Sequence, residues 1–281
     1  DLEGDKPMLR LVHGDVGSGK TVMAALAALR ATDNGFQTAI TAPTELLAEQ
    51  HLRTFSEWLE PLGITPVWLS GKVTGKKRSA ALDRISNGAE IVIGTHALMQ
   101  KGVEFQRLGL VIVDEQHRFG VDQRLDLLEK GRTPTGQAHQ LIMTATPIPR
   151  TLAMTAYAGM DVSVIDELPP GRKPVNTVVI SNQRRGEVIE RVAKACSTGQ
   201  QAYWVCTLIE ESDLIAAQAA EDVADQLRND LKLLSVGLVH GRLKAVEKQR
   251  VMDKFKTRKI DLLVATTVIE VGVDVPNASL M

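Results

Sequence analysis

The sequence has little of what would mark a secreted or a membrane-spanning protein. It contains two cysteines, Cys196 and Cys206, and they do not form a CxxC pair. A disulfide framework and a cysteine-ligated zinc site are therefore not expected, and a reducing compartment is favoured. No apolar run approaches the ~20 residues of a membrane span, and the first residues carry no signal-peptide pattern. The sequence thus predicts no membrane association.

The chain also lacks an excess of charge of either sign. Its 33 Lys and Arg face 34 Asp and Glu, which gives a net charge of −1. Bulk charge gives no indication of nucleic-acid binding, although a local basic groove is not excluded. Hydrophobic residues make up 44 % and charged residues 24 % of the 281 positions, which argues against disorder and allows two domains or one large one.

Short apolar runs alternate with helical patterns along the chain. In the first half we predict strands at 9–13, 37–41, 67–69, 91–94, 110–114 and 140–144, with helices at 21–30 and 44–59. In the second half we predict strands at 175–180, 202–206, 236–239 and 260–265, with helices at 184–196, 213–231 and 244–255. This alternation predicts α/β architecture, with parallel sheets covered by helices on both faces.

A stretch rich in proline and glycine interrupts the alternation at residues 168–174 (LPPGRKP). Prolines at this density exclude a helix interior or a central strand. We predict a first domain at 1–168, a linker at 169–174 and a second domain at 175–281. The chain does not begin with Met and ends inside an apparent strand, so we expect a piece of a longer protein with a C-terminally incomplete second domain.

Residues 14–21 (GDVGSGKT) fit the pattern G-x-x-x-x-G-K-[ST] of a phosphate-binding loop. An apolar strand precedes it and an Ala/Leu-rich helix follows, which is the context that the motif requires. Glycines let the backbone aim its N–H groups at phosphate oxygens, and the helix N-terminus adds a positive dipole end. The predicted nucleotide-binding residues are Gly14, Gly17, Ser18, Gly19, Lys20 and Thr21. A glycine-rich turn that happens to carry Lys-Thr is the simpler alternative.

Two adjacent carboxylates end the apolar strand at 110–114. We expect Asp114 to hold Mg²⁺ together with the Thr21 hydroxyl, and Glu115 to polarise the attacking water. His117 follows in the run DEQH and is a candidate for coupling to the second domain. The predicted catalytic set is Lys20, Asp114, Glu115 and His117, with an acidic loop after a core strand as the alternative interpretation.

Taken in order, these pieces resemble the motifs of the superfamily 2 helicases. The matching stretches are 14–21, 42–50 (APTELLAEQ), 94–96 (GTH), 114–117 (DEQH), 144–146 (TAT) and 265–274 (ATTVIEVGVD). Longer stretches, such as 114–121 (DEQHRFGV) and 144–154 (TATPIPRTLAM), are similar to the bacterial RecG helicases, and the resemblance covers essentially the whole chain.

The resemblance implies two tandem RecA-like lobes, each with a parallel sheet, and an ATP- and Mg²⁺-dependent motor that remodels branched or double-stranded DNA. ATP would bind between the lobes, with Gly272 and Asp274 approaching the nucleotide. The residues implied to contact DNA or to couple it to ATP are Pro43, Thr44, Thr95, His96, Thr144, Thr146, His240, Gly241, Arg242, Thr266 and Thr267. The resemblance makes single-strand-binding protein the candidate protein partner. We also expect the protein to be a monomer and to lie in the bacterial cytoplasm, associated with the nucleoid.

The resemblance also implies parts that this chain does not contain. They are an N-terminal wedge domain and an arginine-bearing motif expected beyond Met281. An arginine finger contributes about 10³–10⁵ in rate, so a nucleotide-gated DNA-binding fragment without useful turnover is one alternative. The others are a double-stranded DNA translocase like the coupling factor Mfd, an RNA helicase and a small-molecule kinase. Gln116 weighs against Mfd, and residues 116–117 weigh against an RNA helicase.

Overall fold

A computed structural model of the chain describes residues 1–4, 6–115, 130, 137–146, 160–167, 175–206, 213–266, 275 and 277–281. The chain divides into two compact units, Asp1–Lys173 and Pro174–Met281, and each is described by itself. The predicted linker at 169–174 lies outside the described residues. Among the described helices, none combines the length and apolar character needed to cross a bilayer.

The first unit alternates strands and helices. Its strands are β1 (Leu9–Gly14), β2 (Gln37–Thr41), β3 (Val67–Leu69), β4 (Ile91–Gly94), β5 (Leu108–Asp114), β6 (His139–Thr144) and β7 (Asp161–Ile165). Its described α-helices are α1 (Lys20–Asp33), α2 (Glu45–Leu59) and α3 (Gly75–Ser86). These strands form one sheet in the order β3-β4-β2-β5-β6-β1-β7, and all its described pairings are parallel.

Successive residues of the central strands pack against opposite faces of this sheet. Ala39 and Val92 belong to a buried cluster with α3 residues, whereas Ile40 and Ile93 belong to one with α1 and α2 residues. The side chains of adjacent strand residues point to opposite sides. Their burial on both faces confirms the predicted sheet with helices on each side.

The second unit repeats part of this arrangement. Its elements are α4 (Arg185–Ser197), β8 (Gln201–Cys206), α5 (Asp213–Asp230), β9 (Val236–Val239), α6 (Ala245–Lys256), β10 (Leu262–Thr266) and β11 (Ala278–Leu280). The sheet order is β11-β8-β10-β9, with parallel pairings. Read as β9-β10-β8-β11, it has the same connectivity as β3-β4-β2-β5 in the first unit.

Burial raises the pKa of both free thiols, Cys196 and Cys206.

An equivalent buried glutamine marks the repeat. Gln37 opens β2 and donates through Nε2 to the carbonyls of Ile85 and Ala89, each at 2.9 Å. Gln201 opens β8 and donates to the carbonyls of Phe255 and Ile260, each at 2.7 Å. In both units the amide satisfies carbonyls where the helix ends before the neighbouring strand. The same local solution in both sheets supports a common fold for the two units.

The predicted strand at 175–180 is wrong. The segment lies outside every described strand, and Val175 and Val179 are 80 % and 100 % exposed. β-Branched residues favour the extended conformation, but a strand exists only where a neighbour accepts its hydrogen bonds. The apolar run satisfied the first condition alone.

Candidate active site

The phosphate-binding loop joins β1 to α1. Gly17 and Gly19 adopt φ values of 81° and 98°, a left-handed conformation that favours glycine. The first turn of α1 has neither a side-chain cap nor an acidic residue, whereas α2 is capped by the Thr44 hydroxyl and has Glu45 in its first turn. The first turn of α1 thus has no side-chain acceptor for its N–H groups, which is compatible with an anion bound there, as in a phosphate site.

Lys20 opens α1, and its ammonium group contacts the backbone of the loop. Its Nζ donates to the carbonyl oxygens of Gly14 at 2.6 Å and Asp15 at 2.8 Å. Burial lowers the pKa of Lys20, and the negative charges of Asp114, Glu115 and Asp15 act in the opposite direction. The ammonium group is therefore held in a partly desolvated position within the field of both carboxylates.

Ser18 provides a second polar group in the loop. Its hydroxyl oxygen is buried and has no hydrogen-bond partner among the described residues. Gly14 approaches it closely, since a Cβ at Gly14 would lie 2.5 Å from Ser18 Oγ. A buried hydroxyl next to uncapped N–H groups fits an oxygen-rich ligand such as a phosphate.

The two carboxylates lie at the carboxyl edge of the same sheet, two strands from β1. Asp114 pairs in register with Met143 of β6, and His13 of β1 pairs with Thr144. Three segments therefore lie at the same edge of the sheet, each after the end of one of three adjacent strands: the loop, the carboxylates and the run Thr144-Ala145-Thr146. This is the edge at which parallel sheets bind ligands.

Glu115 is fixed by the neighbouring strand. Its backbone has φ 49°, which is uncommon for a residue with a side chain. Its Oε1 accepts from the Ala145 N–H and its Oε2 from the Thr144 hydroxyl, both at 3.1 Å. The Thr144 oxygen in turn accepts from the Thr146 N–H at 3.1 Å. The structure thus brings together Glu115 and Thr144, which were predicted separately.

Sequence reasoning missed one residue at this edge. His51 is 8 % exposed, and its Nε2 lies 2.7 Å from Asp114 Oδ2. The available signal was a polar residue on the apolar stripe of α2. That pattern alone does not identify its partner, which lies 63 positions away in the chain.

The oxygen donors at this edge are of the type that a magnesium ion takes. No group of three or more His, Cys, Asp or Glu side chains in the described part of the chain could hold a metal. Mg²⁺ is bound through one or two protein oxygens, with phosphates and waters completing an octahedron. The Thr21 hydroxyl and the Asp114 carboxylate are oxygen donors of the right type for that arrangement.

The predicted DNA-contacting residues of the first unit follow β2 and β4, which are paired in register at Thr41 and Gly94. Thr44 and His96 are exposed and Pro43 is half-buried. Thr95 is buried, and its hydroxyl has no partner among the described residues. These residues therefore occupy the half of the sheet edge next to the carboxylates, while Thr146 is exposed beside Glu115.

In the second unit, predicted residues follow the paired strands β9 and β10. Gly241 and Arg242 are exposed, whereas His240 and Thr266 are buried. His240 Nε2 lies 3.4 Å from Glu221 Oε1, so a carboxylate already faces this ring. A contact of this unit with DNA stays a prediction. The predicted residues His117, Thr267, Gly272 and Asp274 lie outside the described residues.

Comparison with known proteins gives matches over both units. Residues 3–155 match the DEAD/DEAH box helicase family, and residues 184–281 match the helicase conserved C-terminal domain. The chain is 64 % identical to the ATP-dependent DNA helicase RecG of Pasteurella multocida and 63 % identical to that of Haemophilus influenzae. Each match covers 100 % of this chain and 41 % of the relative, so the chain spans about two fifths of their length.

A solved structure of RecG bound to a three-way DNA junction is also similar. It is 44 % identical, with a TM-score of 0.77, and the match covers 99 % of this chain and 36 % of that one. The predicted pair of RecA-like lobes is consistent with this likeness and with the two family matches.

Proposed function

Because this chain belongs to the DEAD/DEAH box helicase family, we propose that it is the motor part of a helicase that hydrolyses ATP to remodel branched DNA. The observation that carries the proposal is the convergence at one sheet edge. The loop that carries Lys20 follows β1, and Asp114 and Glu115 lie at the end of β5, two strands away at the same carboxyl edge of the sheet. A phosphate-binding group beside a paired acid is the arrangement that phosphoryl transfer to water requires.

Each residue has a distinct role in this site. The N–H groups at the start of α1 bind phosphate oxygens, and Lys20 exchanges its two carbonyl partners for the β- and γ-phosphates. Thr21 and Asp114 would hold Mg²⁺ through their side-chain oxygens. When bound, Mg²⁺ neutralises part of the phosphate charge. Gly14 has no side chain and Ser18 has a small one, so the backbone of the loop can approach the phosphates closely.

Glu115 orients the attacking water. A carboxylate offers about four lone-pair positions, of which two accept from Thr144 and Ala145. In the proposed mechanism this carboxylate accepts a further hydrogen bond from a water placed against the γ-phosphate. The hydrogen bonds from Thr144 and Ala145 keep the carboxylate in one orientation. A fixed orientation increases the rate of reaction, because the group is already placed correctly for the reacting atom.

Double-stranded or branched DNA is the proposed substrate for movement. The identity of more than 60 % with RecG relatives and the likeness to RecG bound to a three-way junction support this choice. The exposed Thr44 and His96 are the proposed contacts in the first unit, and Arg242 is the proposed contact in the second. Such contacts grip phosphates and carry no sequence code. Family membership removes the kinase alternative.

Four further expectations remain proposals for this chain. They are the domain boundaries at 168 and 175, single-strand-binding protein as a partner, a monomeric state and a cytoplasmic, nucleoid-associated location. Mg²⁺ as the metal rests on the donor set described above and belongs to the same proposal.

Nucleotide titration tests the site directly. A fluorescent ATP analogue is titrated with Mg²⁺ into the wild type, Lys20→Ala and Lys101→Ala, the last being a surface lysine on the same unit. We expect Lys20→Ala to weaken binding by at least about tenfold, since a charge-assisted contact of about 1.5–3 kcal/mol is lost. Lys101→Ala should leave binding unchanged. Equal affinity in all three proteins would remove the phosphate loop from the site.

A second experiment tests the substrate. ATP hydrolysis is compared with a three-way DNA junction, a linear duplex and a single-stranded RNA of matched length. Stimulation by the junction above the other two supports the proposal. Greater stimulation by RNA would favour the RNA-helicase alternative. Stimulation by linear duplex equal to the junction would favour an Mfd-like translocase. Junction binding that depends on ATP but without hydrolysis would favour the nucleotide-gated fragment.

A further inference from the structure

We propose that His51 is a positioning residue that sets the orientation of the Asp114 carboxylate for metal binding, an inference that rests on the proposed function. Its imidazole would hold one carboxylate oxygen, which leaves the other oxygen aimed at the metal or at a metal-bound water. The role concerns geometry and hydrogen bonding, and His51 itself does not touch the metal.

His51 occupies a position where packing alone would select an apolar residue. The other buried residues of α2 are Leu47, Ala48, Phe55 and Leu59, which form a stripe along one face of the helix. His51 lies on this stripe, one turn before Phe55. Burying an imidazole costs free energy unless its polar atoms find partners, so the exception calls for a specific contact.

That contact is with Asp114. The distance from Nε2 to Oδ2 is 2.7 Å, and the side chains are only 9 % and 13 % exposed. An ionised carboxylate can only accept, so the Nε2 atom carries the hydrogen and donates. Hydrogen bonds to a charged acceptor are short and roughly twice as strong as neutral ones, and at this burial little water competes for the carboxylate.

The ring itself is held in place. His51 packs edge-on against Phe55, with ring centroids 6.4 Å apart and an interplanar angle of 80°. Phe55 is fully buried in the cluster that also contains residues of β2 and β5. The packing against Phe55 therefore fixes the direction in which His51 Nε2 donates its hydrogen bond.

The placement has a consequence for the site. α2 begins directly after Pro43 and Thr44, which lie on the half of the sheet edge that is proposed to face DNA. Asp114 ends β5 and lies on the half that is proposed to face ATP. The His51–Asp114 contact joins these two halves. Partners that orient a metal-binding carboxylate change metal affinity by about 10–100-fold when they are removed.

The test separates positioning from simple structural support. Binding of the fluorescent ATP analogue is measured in EDTA and as a function of Mg²⁺ concentration for the wild type, His51→Leu, His51→Gln and Asp114→Ala. The Gln side chain carries an amide donor, Nε2, at about the reach of the imidazole Nε2, whereas Leu has no donor. Thermal unfolding of each variant is recorded in parallel.

We expect His51→Leu to bind the nucleotide in EDTA within about twofold of the wild type but to need about tenfold more Mg²⁺ for the metal-dependent gain. His51→Gln should restore most of the Mg²⁺ response. The double variant His51→Leu/Asp114→Ala should respond no worse than Asp114→Ala alone, because both changes remove the same interaction.

Other outcomes overturn the proposal. A purely structural histidine would lower binding equally in EDTA and in Mg²⁺, and His51→Gln would not restore the Mg²⁺ response. A wild-type Mg²⁺ response in His51→Leu would also contradict it. If His51→Leu does not fold, His51→Asn replaces it, since its amide is too short to reach Asp114. Failure of the proposed function is distinct, because the wild type would then show no metal-dependent gain.

Discussion

Replacing Thr144 with Val removes one hydroxyl and leaves the shape of the side chain nearly unchanged. The hydroxyl donates to Glu115 Oε2 and accepts from the Thr146 N–H, both at 3.1 Å. Thr144 and Glu115 are 1 % and 3 % exposed, so water cannot easily replace the lost partner. The valine therefore leaves a buried carboxylate oxygen with one hydrogen bond fewer.

The expected magnitude follows from these contacts. Leaving a buried charged acceptor short of a hydrogen bond costs about 1–3 kcal/mol, and the unpaired Thr146 N–H adds less because that residue is exposed. We expect the free energy of unfolding to fall by about 2–3 kcal/mol. Glu115 would also lose part of its fixed orientation, and a misplacement of about 1 Å can reduce the rate of hydrolysis roughly 100-fold.

Two assays check this reasoning, with Thr144→Ser as the matched control. Urea unfolding followed by circular dichroism gives the stability change, and single-turnover hydrolysis of ATP gives the rate. Thr144→Ser retains the hydroxyl and should stay within about tenfold of the wild-type rate, while both variants bind the nucleotide with similar affinity. Hydrolysis by Thr144→Val at the wild-type rate would refute the assignment of Thr144 as the support for Glu115.

Three more predictions concern stability and reactivity. Gly94→Ala should lower the free energy of unfolding by at least about 3 kcal/mol, because its Cβ would lie 1.9 Å from the Leu69 carbonyl oxygen. Gly71→Ala is the control, since a Cβ at Gly71 meets nothing within 4 Å. Equal midpoints of urea unfolding for the two variants would contradict the clash at Gly94. Burial lowers the pKa of His139, whose Nδ1 accepts from the Met8 N–H. The unfolded chain therefore takes up the proton first, and stability should fall as the pH drops below about 6.5 through the lowered folded pKa. His139→Asn, which can accept but does not titrate, should show a weaker fall between pH 7.5 and 5.5; parallel curves would contradict the assignment. Both cysteine thiols should react with iodoacetamide at pH 8 more slowly in the native chain than in urea, since burial raises both pKa values; equal rates would contradict their burial.

Much of the first unit could be predicted because its signals are local. The strands at 37–41, 67–69 and 91–94 were predicted with the bounds that the structure has. The last two are short apolar runs, and turn residues flank all three. The phosphate loop was also predictable, because its glycines and its flanking strand and helix are adjacent in sequence. Their positions at one sheet edge then follow from parallel topology.

What could not be predicted depends on contacts between distant segments. β7 (Asp161–Ile165) lies at the edge of the sheet with Val162 and Val164 exposed, so its place depends on pairing with the distant β1 and not on a buried apolar face. The first turn of α3 carries Lys76, Lys77 and Arg78, and only Ala81 and Ile85 of the helix are buried, so its apolar period is too short to identify it. The link between His51 and Asp114 joins residues 63 positions apart and has no sequence period.

The segment at 175–180 illustrates the converse error. Its valines and isoleucine have strong β propensity, but propensity specifies only a preference for extended backbone. The hydrogen-bonding neighbour is supplied by tertiary structure, and a pattern within six residues cannot show whether one exists.

We propose that the loop at Lys20 and the carboxylates of Asp114 and Glu115 form one site that hydrolyses ATP. The most direct measurement is single-turnover hydrolysis of Mg-ATP with a three-way DNA junction by the wild type and Glu115→Gln, with nucleotide affinity measured on the same samples. We expect Glu115→Gln to bind the nucleotide within about twofold of the wild type and to hydrolyse it at least about 100-fold more slowly. Hydrolysis at the wild-type rate by Glu115→Gln would contradict the claim.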